Sequence, residues 1–184
     1  MPCIGHMRTI GMVVFLWRNQ MKLIPLTQGQ FAKVDDDMYE ELNQYKWYAR
    51  CHKPKNYYYA IRADKIIKGN KSAKHLRMHR VIMNCPEGMV VDHINHDTLD
   101  NQRHNLRVCT TAQNTYNRLP NRIGKSRYKG VVWVKNRNHW HVAISVNGTR
   151  ISLRTFKCEH DAARSYNEAS LKYHGEFGYI NIID

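Results

Sequence analysis

The sequence has no closely spaced cysteine pair. Its five cysteines, Cys3, Cys51, Cys85, Cys109 and Cys158, are odd in number and irregularly scattered. That pattern speaks against both a disulfide scaffold and a zinc ribbon, and it fits reduced thiols in a cytosolic protein. The chain also lacks an apolar run able to cross a bilayer: the longest near the start, IGMVVFLW at 10–17, is too short and no small-residue cleavage site clearly follows it. Acidic residues are scarce as well. Fifteen Asp and Glu face 29 Lys and Arg, leaving a net charge of +14 and a pI near 9.7. Such an imbalance points to a polyanionic partner, nucleic acid first of all. The excess is +5 over 1–70, +4 over 71–124 and +5 over 125–184, so the polyanion is expected to run along the whole molecule and not to sit on one basic tail.

With 42% hydrophobic and 24% charged residues the chain is not globally disordered. Its 184 residues accommodate one medium domain or two small ones, and the pattern reads as two. Residues 1–20 read as a poorly ordered extension, with a fresh start at Met21. From there KLIPL, FAKV, YKWYAR and NYYYAIRA read as short strands, DDDMYEEL as a helix, and the last two strands as an aromatic hairpin turning at Lys53, Pro54 and Lys55. The hairpin aromatics serve either as core or as stacking partners for bases, with core favoured. LRMHRVIM is a short helix or a strand. GMVVDHI and LRVCT are β-branched and alternating, hence strands, separated by a long polar loop. Thr110 with Gln113 has the spacing of a capping box, which opens a helix running to about Leu119. PNRIGKS is a linker. Beyond it RYKGVVWVK, WHVAISVNG and TRISLRTF read as three strands, with Asn147-Gly148 as a hairpin turn. The following helix places Ala162, Tyr166, Ala169 and Tyr173 on one face and ends at Gly175.

The stretch VVDHINHDTLDNQRHNLRVCTTAQN at 90–114 concentrates Asp, His and Asn. Strand, loop, strand and helix would bring Asp92 and His93 beside Asn114. A carboxylate and a carboxamide oxygen are hard donors suited to a Mg²⁺-like cation that keeps several waters. An imidazole on the opposite side of the strand can take a proton from water. Singly, each residue would pass for a loop residue, a cap or surface polarity; the ordered set does not.

This constellation resembles the HNH nucleases. Asp92-His93, Asn105 twelve residues on and Asn114 nine further make the HNN variant, and MHRVIMNCPEGMVVDHIN with TLDNQRHNLRVCTTAQN resembles the phage and intron-encoded homing branch. The resemblance implies a ββα-metal nuclease module within residues 21–120, its core motif at 75–119. It implies His93 as general base, Asp92 and Asn114 as ligands of one divalent metal (Mg²⁺, with Mn²⁺ as a substitute), and Asn105 as the residue fixing the loop and the imidazole. His96 stands where the family commonly has Gly, and His79 recurs in the family in a role that is either structural or phosphate-binding.

After the linker at 121–125, residues 126–181 resemble the DNA-binding domain of the APETALA, or ethylene-response-factor, type through Tyr128-Lys129-Gly130-Val131, Trp140, Thr155-Phe156, Ala162-Ala163, Tyr166, Gly175 and Asn181. Strand alternation turns Val142, Ile144 and Val146 toward the helix and leaves His141, Ala143 and Ser145 outward, with Arg150, Ser152 and Arg154 outward on the next strand. Lys129, Lys135 and Arg137 lie on or beside the first strand, and the resemblance implies that Lys129 and Arg150 hold basic contact positions, so the DNA-binding candidates are Lys129, Lys135, Arg137, His141, Ser145, Arg150 and Arg154. Val132, Val134 and Ser152 depart from the family's Arg or Trp, so its target sequence does not carry over.

The expected fold class is α+β: the nuclease module followed by a small three-stranded antiparallel sheet packed on one helix. The expected function is a homing-type endonuclease that nicks double-stranded DNA, acting as a cytoplasmic monomer in a bacterial or phage-infected cell. Its rivals are a non-cleaving DNA-binding regulator, a packaging protein and a ribonuclease.

Overall fold

In the computed structural model, residues 20–53, 57–64, 75–120 and 124–184 are described. Residues 1–19 of the expected extension, Pro54 and Lys55 of the expected hairpin turn, residues 65–74 and residues 121–123 of the linker lie outside them.

Alternation of buried and exposed residues builds the first hairpin. β1 (Met21–Pro25) pairs antiparallel with β2 (Phe31–Asp35), Leu23 opposite Lys33, and Ile24, Ala32 and Val34 point inward. Asp36 and Asp37 in the first turn of α1 (Asp36–Asn43) favour its start, since carboxylates complement a helix N-terminus. β3 (Tyr48–His52), β4 (Tyr57–Ala63) and β5 (His75–Arg77) form an antiparallel sheet in the order β3-β4-β5. The LRMHRVIM segment divides, its start ending β5 and its continuation forming α2 (Met78–Ile82). Leu42, Trp47, Ala60 and Met78 close the core with the inward residues of β1 and β2. Of the hairpin aromatics only Trp47 is fully core, its indole N–H donating to Leu42 O at 2.8 Å; Tyr57, Tyr58 and Tyr59 are half-buried.

β6 (Val90–His93) pairs antiparallel with β7 (Leu106–Cys109), Asp92 opposite Arg107. α3 (Thr111–Tyr116) follows at once, opened by the capping box: Thr110 Oγ1 accepts from Gln113 N at 3.2 Å and Gln113 Oε1 from Thr110 N at 2.8 Å. The helix stops at Tyr116, short of Leu119; its C-cap is Asn117, whose side chain bonds to Asp92 and to His93 O on β6.

β8 (Val131–Val134), β9 (His139–Val146) and β10 (Thr149–Phe156) form an antiparallel sheet in the order β10-β9-β8, with α4 (Glu159–His174) packed on it. Asn147 and Gly148, at φ 49° and 81°, supply the two left-handed positions of the hairpin turn. Val142, Ile144, Ala162, Ala163, Tyr166 and Ala169 make a second core. Two details differ from the sequence pattern. Tyr173 is 39% exposed and His174 is buried in its stead, because a 3.6-residue period carries the inward face from 166 to 170 and 174. Ala143, expected outward, is buried: it lines a cleft between the sheet and α3. The chain is α+β, and among the described residues no helix is long and apolar enough to cross a membrane.

Candidate active site

The polar connection between β6 and β7 is anchored on both sides. Lys33 of β2 donates its backbone N–H to Leu99 O and accepts from Asn101 N, both at 2.8 Å, so the loop adds a short parallel bridge to the edge of the first hairpin. The Lys33 ammonium meets Asp97 at 2.8 Å. Asp35 accepts from the backbone N–H and the Nε of Arg103 at 2.9 and 3.1 Å. Inside the loop, Asn105 is 3% exposed; its Nδ2 donates to Asp100 O at 2.8 Å and its Oδ1 accepts from Asn95 N at 2.9 Å. One carboxamide thereby pins the loop across its width.

Asp92 is buried, and its two oxygens are treated unequally. Oδ2 accepts from Arg107 Nη2 at 2.7 Å, Arg107 Nε at 3.0 Å and Asn117 Nδ2 at 3.0 Å. No described residue donates to Oδ1. Asn117 also reaches the carbonyls of His93 and Ile94, at 3.2 and 3.4 Å. Asn114 lies one turn earlier than Asn117, hence on the same helix face, and is partly exposed. The sequence reading missed Arg107 and Asn117. The antiparallel register that pairs Asp92 with Arg107, and the three-residue step from Asn114 to Asn117, are the signals that could have found them.

His93 is 5% exposed. Burial lowers its pKa, and the Asn101 carboxamide and the Asp92 charge pull only partly the other way. Its Nε2 is buried without a hydrogen bond, as is Asn101 Oδ1. The His79 ring stands edge-on at 4.9 Å and Tyr59 lies at 6.3 Å. His79, buried on α2, is held neutral: burial first, then electrostatic coupling to the His93 ring and the charges of Arg77 and Arg80, push its pKa down to about 2. The unfolded chain binds a proton at His79 below about pH 6.5 that the folded protein refuses. That contribution to stability is complete above pH 6.5 and is lost as pH falls toward 2. In urea unfolding from pH 7 to pH 4, His79→Phe should therefore show a shallower loss than wild type, by about 1.4 kcal/mol per pH unit. Parallel curves would show that His79 is protonated in the fold.

His96 occupies the turn after β6 at φ 67°, a left-handed position that explains why glycine suits it. Its ring, lowered in pKa by burial and raised by Asp92, lies 6.0 Å from Tyr179.

The C-terminal sheet meets this site through α3. The Tyr116 ring stacks on His174 at 3.8 Å, and its hydroxyl donates to Asn147 Oδ1 at 2.9 Å and accepts from Asn147 N at 3.0 Å. Tyr179 N donates to Tyr116 O at 3.2 Å. The Lys129 ammonium donates to Tyr116 O and Arg118 O, both at 2.6 Å; burial brings its pKa down to about 8. Lys129 thus grips the end of α3, where partial negative charge accumulates. The other basic candidates are open: Lys135 and Arg137 are exposed on the turn after β8, and Ser145, Arg150 and Arg154 are exposed on the sheet, with His141 half-buried and bonded to Ser152 Oγ at 2.7 Å. A cleft of about 930 Å³ is lined by Thr111, Thr115 and Arg118 together with Ser145 and Arg150, so α3 and the outer sheet face border one space.

Residues 78–116, from α2 through α3, match the family model described as HNH endonuclease. The match marks this segment, with Asp92, His93, Asn105 and Asn114 inside it, as an HNH endonuclease domain. The chain is 29% identical over 164 residues, 85% of its own length and 78% of the relative's, to an uncharacterized HNH endonuclease of Acanthamoeba polyphaga mimivirus. It is also 29% identical over 70 residues, 38% of its length and 58% of the relative's, to Protein 3.8 of Escherichia phage T7.

Proposed function

We propose that this protein is a metal-dependent endonuclease of the homing type, which hydrolyses one phosphodiester bond of double-stranded DNA and so nicks it. The observation that carries the reading is the paired state of Asp92 and His93: a carboxylate with one oxygen pinned and the other given no donor by the described residues, next to an imidazole whose Nε2 has no hydrogen bond among them. Asp92 Oδ1 and the Asn114 carboxamide would hold a single divalent cation. Among the described residues no group of three His, Cys, Asp or Glu forms a cage, so the cation would keep much of its water, as Mg²⁺ does and as Mn²⁺ in its place would. When bound, it supplies charge neutralisation at the phosphate and at the departing 3′-oxygen. His93 stays neutral through burial and takes the proton of the attacking water. Asn105 keeps the loop, and with it the imidazole, in place.

The C-terminal sheet, on this reading of the ethylene-response-factor type, supplies the address. His141, Ser145, Arg150 and Arg154 face the major groove, and Lys135 and Arg137 meet the backbone beside it. Lys129 serves by seating the sheet on α3. Cleavage of duplex DNA from around the gene's own locus, with Mg²⁺ or with EDTA, tests the whole reading. The expected result is a nick at one position that EDTA abolishes. Sequence-selective binding without cleavage under any divalent metal would replace it with a non-cleaving regulator.

A further inference from the structure

Arg107 belongs to two parts of the molecule at once. Two of its guanidinium nitrogens hold Asp92 Oδ2, while its Nη1 donates to the backbone carbonyl of Glu176 and the guanidinium lies 4.8 Å over the Phe177 ring. Glu176 and Phe177 stand in the 3₁₀ turn Gly175–Phe177 that follows α4. The side chain is only 13% exposed and its partner Asp92 only 8%, so the pair is desolvated and its geometry is tightly set. A planar fork with five donors can bind a carboxylate on one edge and a carbonyl on another, which an ammonium cannot. A second, independent set of contacts reaches the other proposed ligand. α3, which carries Asn114, is gripped at its end by Lys129, by Tyr179 N and by the stack of Tyr116 on His174.

We infer that Arg107 is a positioning residue through which the C-terminal module holds Asp92 ready for the divalent cation, so that the nuclease site is complete only when that module is docked. The inference rests on the metal-dependent reading above. With Oδ2 held from behind by Arg107 and Asn117, the open Oδ1 is presented in one orientation. Without the Glu176 and Phe177 contacts, the guanidinium would lose a hydrogen bond and its packing, and the carboxylate could rotate away from Asn114. The C-terminal module is then part of the catalytic apparatus as well as an address.

The test is Mn²⁺ binding to the full chain without DNA, followed by the electron paramagnetic resonance of free Mn²⁺, for wild type, Arg107→Ala, Arg107→Lys and Phe177→Ala. Melting curves establish that each variant is folded. Removing a residue that orients a metal ligand typically weakens affinity by about 10–100-fold, and that is expected of Arg107→Ala. Arg107→Lys should recover only part of the loss. Phe177→Ala, which removes the ring packed on the Arg107 guanidinium, should weaken binding several-fold while leaving DNA affinity in EDTA as in wild type. If Arg107→Ala fails to fold, Arg107→Lys and Phe177→Ala decide the matter alone. Wild-type Mn²⁺ affinity in folded Phe177→Ala would overturn the coupling. A wild-type chain that binds no Mn²⁺ would overturn the metal-dependent reading itself and this inference with it.

Discussion

Replacing His93 with alanine should lower the rate of strand cleavage by about 10²–10⁴-fold, the usual contribution of a general base, and leave DNA affinity in EDTA within about twofold. Three observations carry the size of the effect. The ring is buried, burial lowers its pKa, and among the described residues its Nε2 has no hydrogen bond. The imidazoles of His79, His93 and His96 differ in what surrounds them. His79 is walled in by the rings of Tyr59 and His93, so it cannot reach water in His93's place. Single-turnover cleavage with saturating Mg²⁺ measures the effect directly. A variant that cleaves at the wild-type rate would remove His93 from the mechanism and shift attention to His96.

The second large effect is one of folding. Gly130 adopts φ 75°, and a Cβ built there would stand 2.0 and 2.3 Å from the Tyr166 ring and 2.7 Å from Ala143 O. Tyr166 is among the most buried side chains of the second core, so the ring has nowhere to retreat. Gly130→Ala adds an overpacking cost and the left-handed penalty of an L-residue, together about 3 kcal/mol or more. For a unit of this size that corresponds to a fall in melting temperature of roughly 12 °C or more. Calorimetry should show the loss, and selective DNA binding should go with it above the lowered transition. A melting point within about 2 °C of wild type would mean that β8 can shift to admit the methyl group at little cost.

Much of this was legible in the sequence wherever a local rule decides the outcome. The Asn147-Gly148 turn, the Thr110–Gln113 capping box and the alternation of Val142, Ile144 and Val146 are settled within a few residues of chain, and the structure has each of them. The HNH resemblance rested on an ordered spacing across residues that the matched family model covers. What stayed hidden depends on contacts between distant segments. Alternation turns Ala143 toward solvent and the family resemblance makes Lys129 a DNA contact, but neither says anything of α3 approaching the sheet, where the Lys129 ammonium is captured and Ala143 lines the cleft between them. Arg107 looked like one more basic strand residue because its partners, Asp92 and Glu176, lie 15 and 69 positions away. The anchoring of the polar loop by Lys33 and Asp35 is equally remote in sequence. Neither hydrophobic pattern nor composition marks a backbone bridge of that kind.

Tyr116 has one further consequence. Its ring lies flat on His174, its hydroxyl exchanges two hydrogen bonds with Asn147, and its carbonyl accepts from both Lys129 and Tyr179. A flexible tether would let a reader and a cutter wander relative to each other, and the break would scatter over neighbouring steps of the duplex. On the function proposed above, a sheet that reads DNA and a site that cuts it, seated this way, would act as a ruler. In a DNA endonuclease of this build, the interval between the bases that are read and the bond that is cut is a fixed length of the protein. A target can then change its letters between those two points and still be cut, but it cannot gain or lose a base pair there.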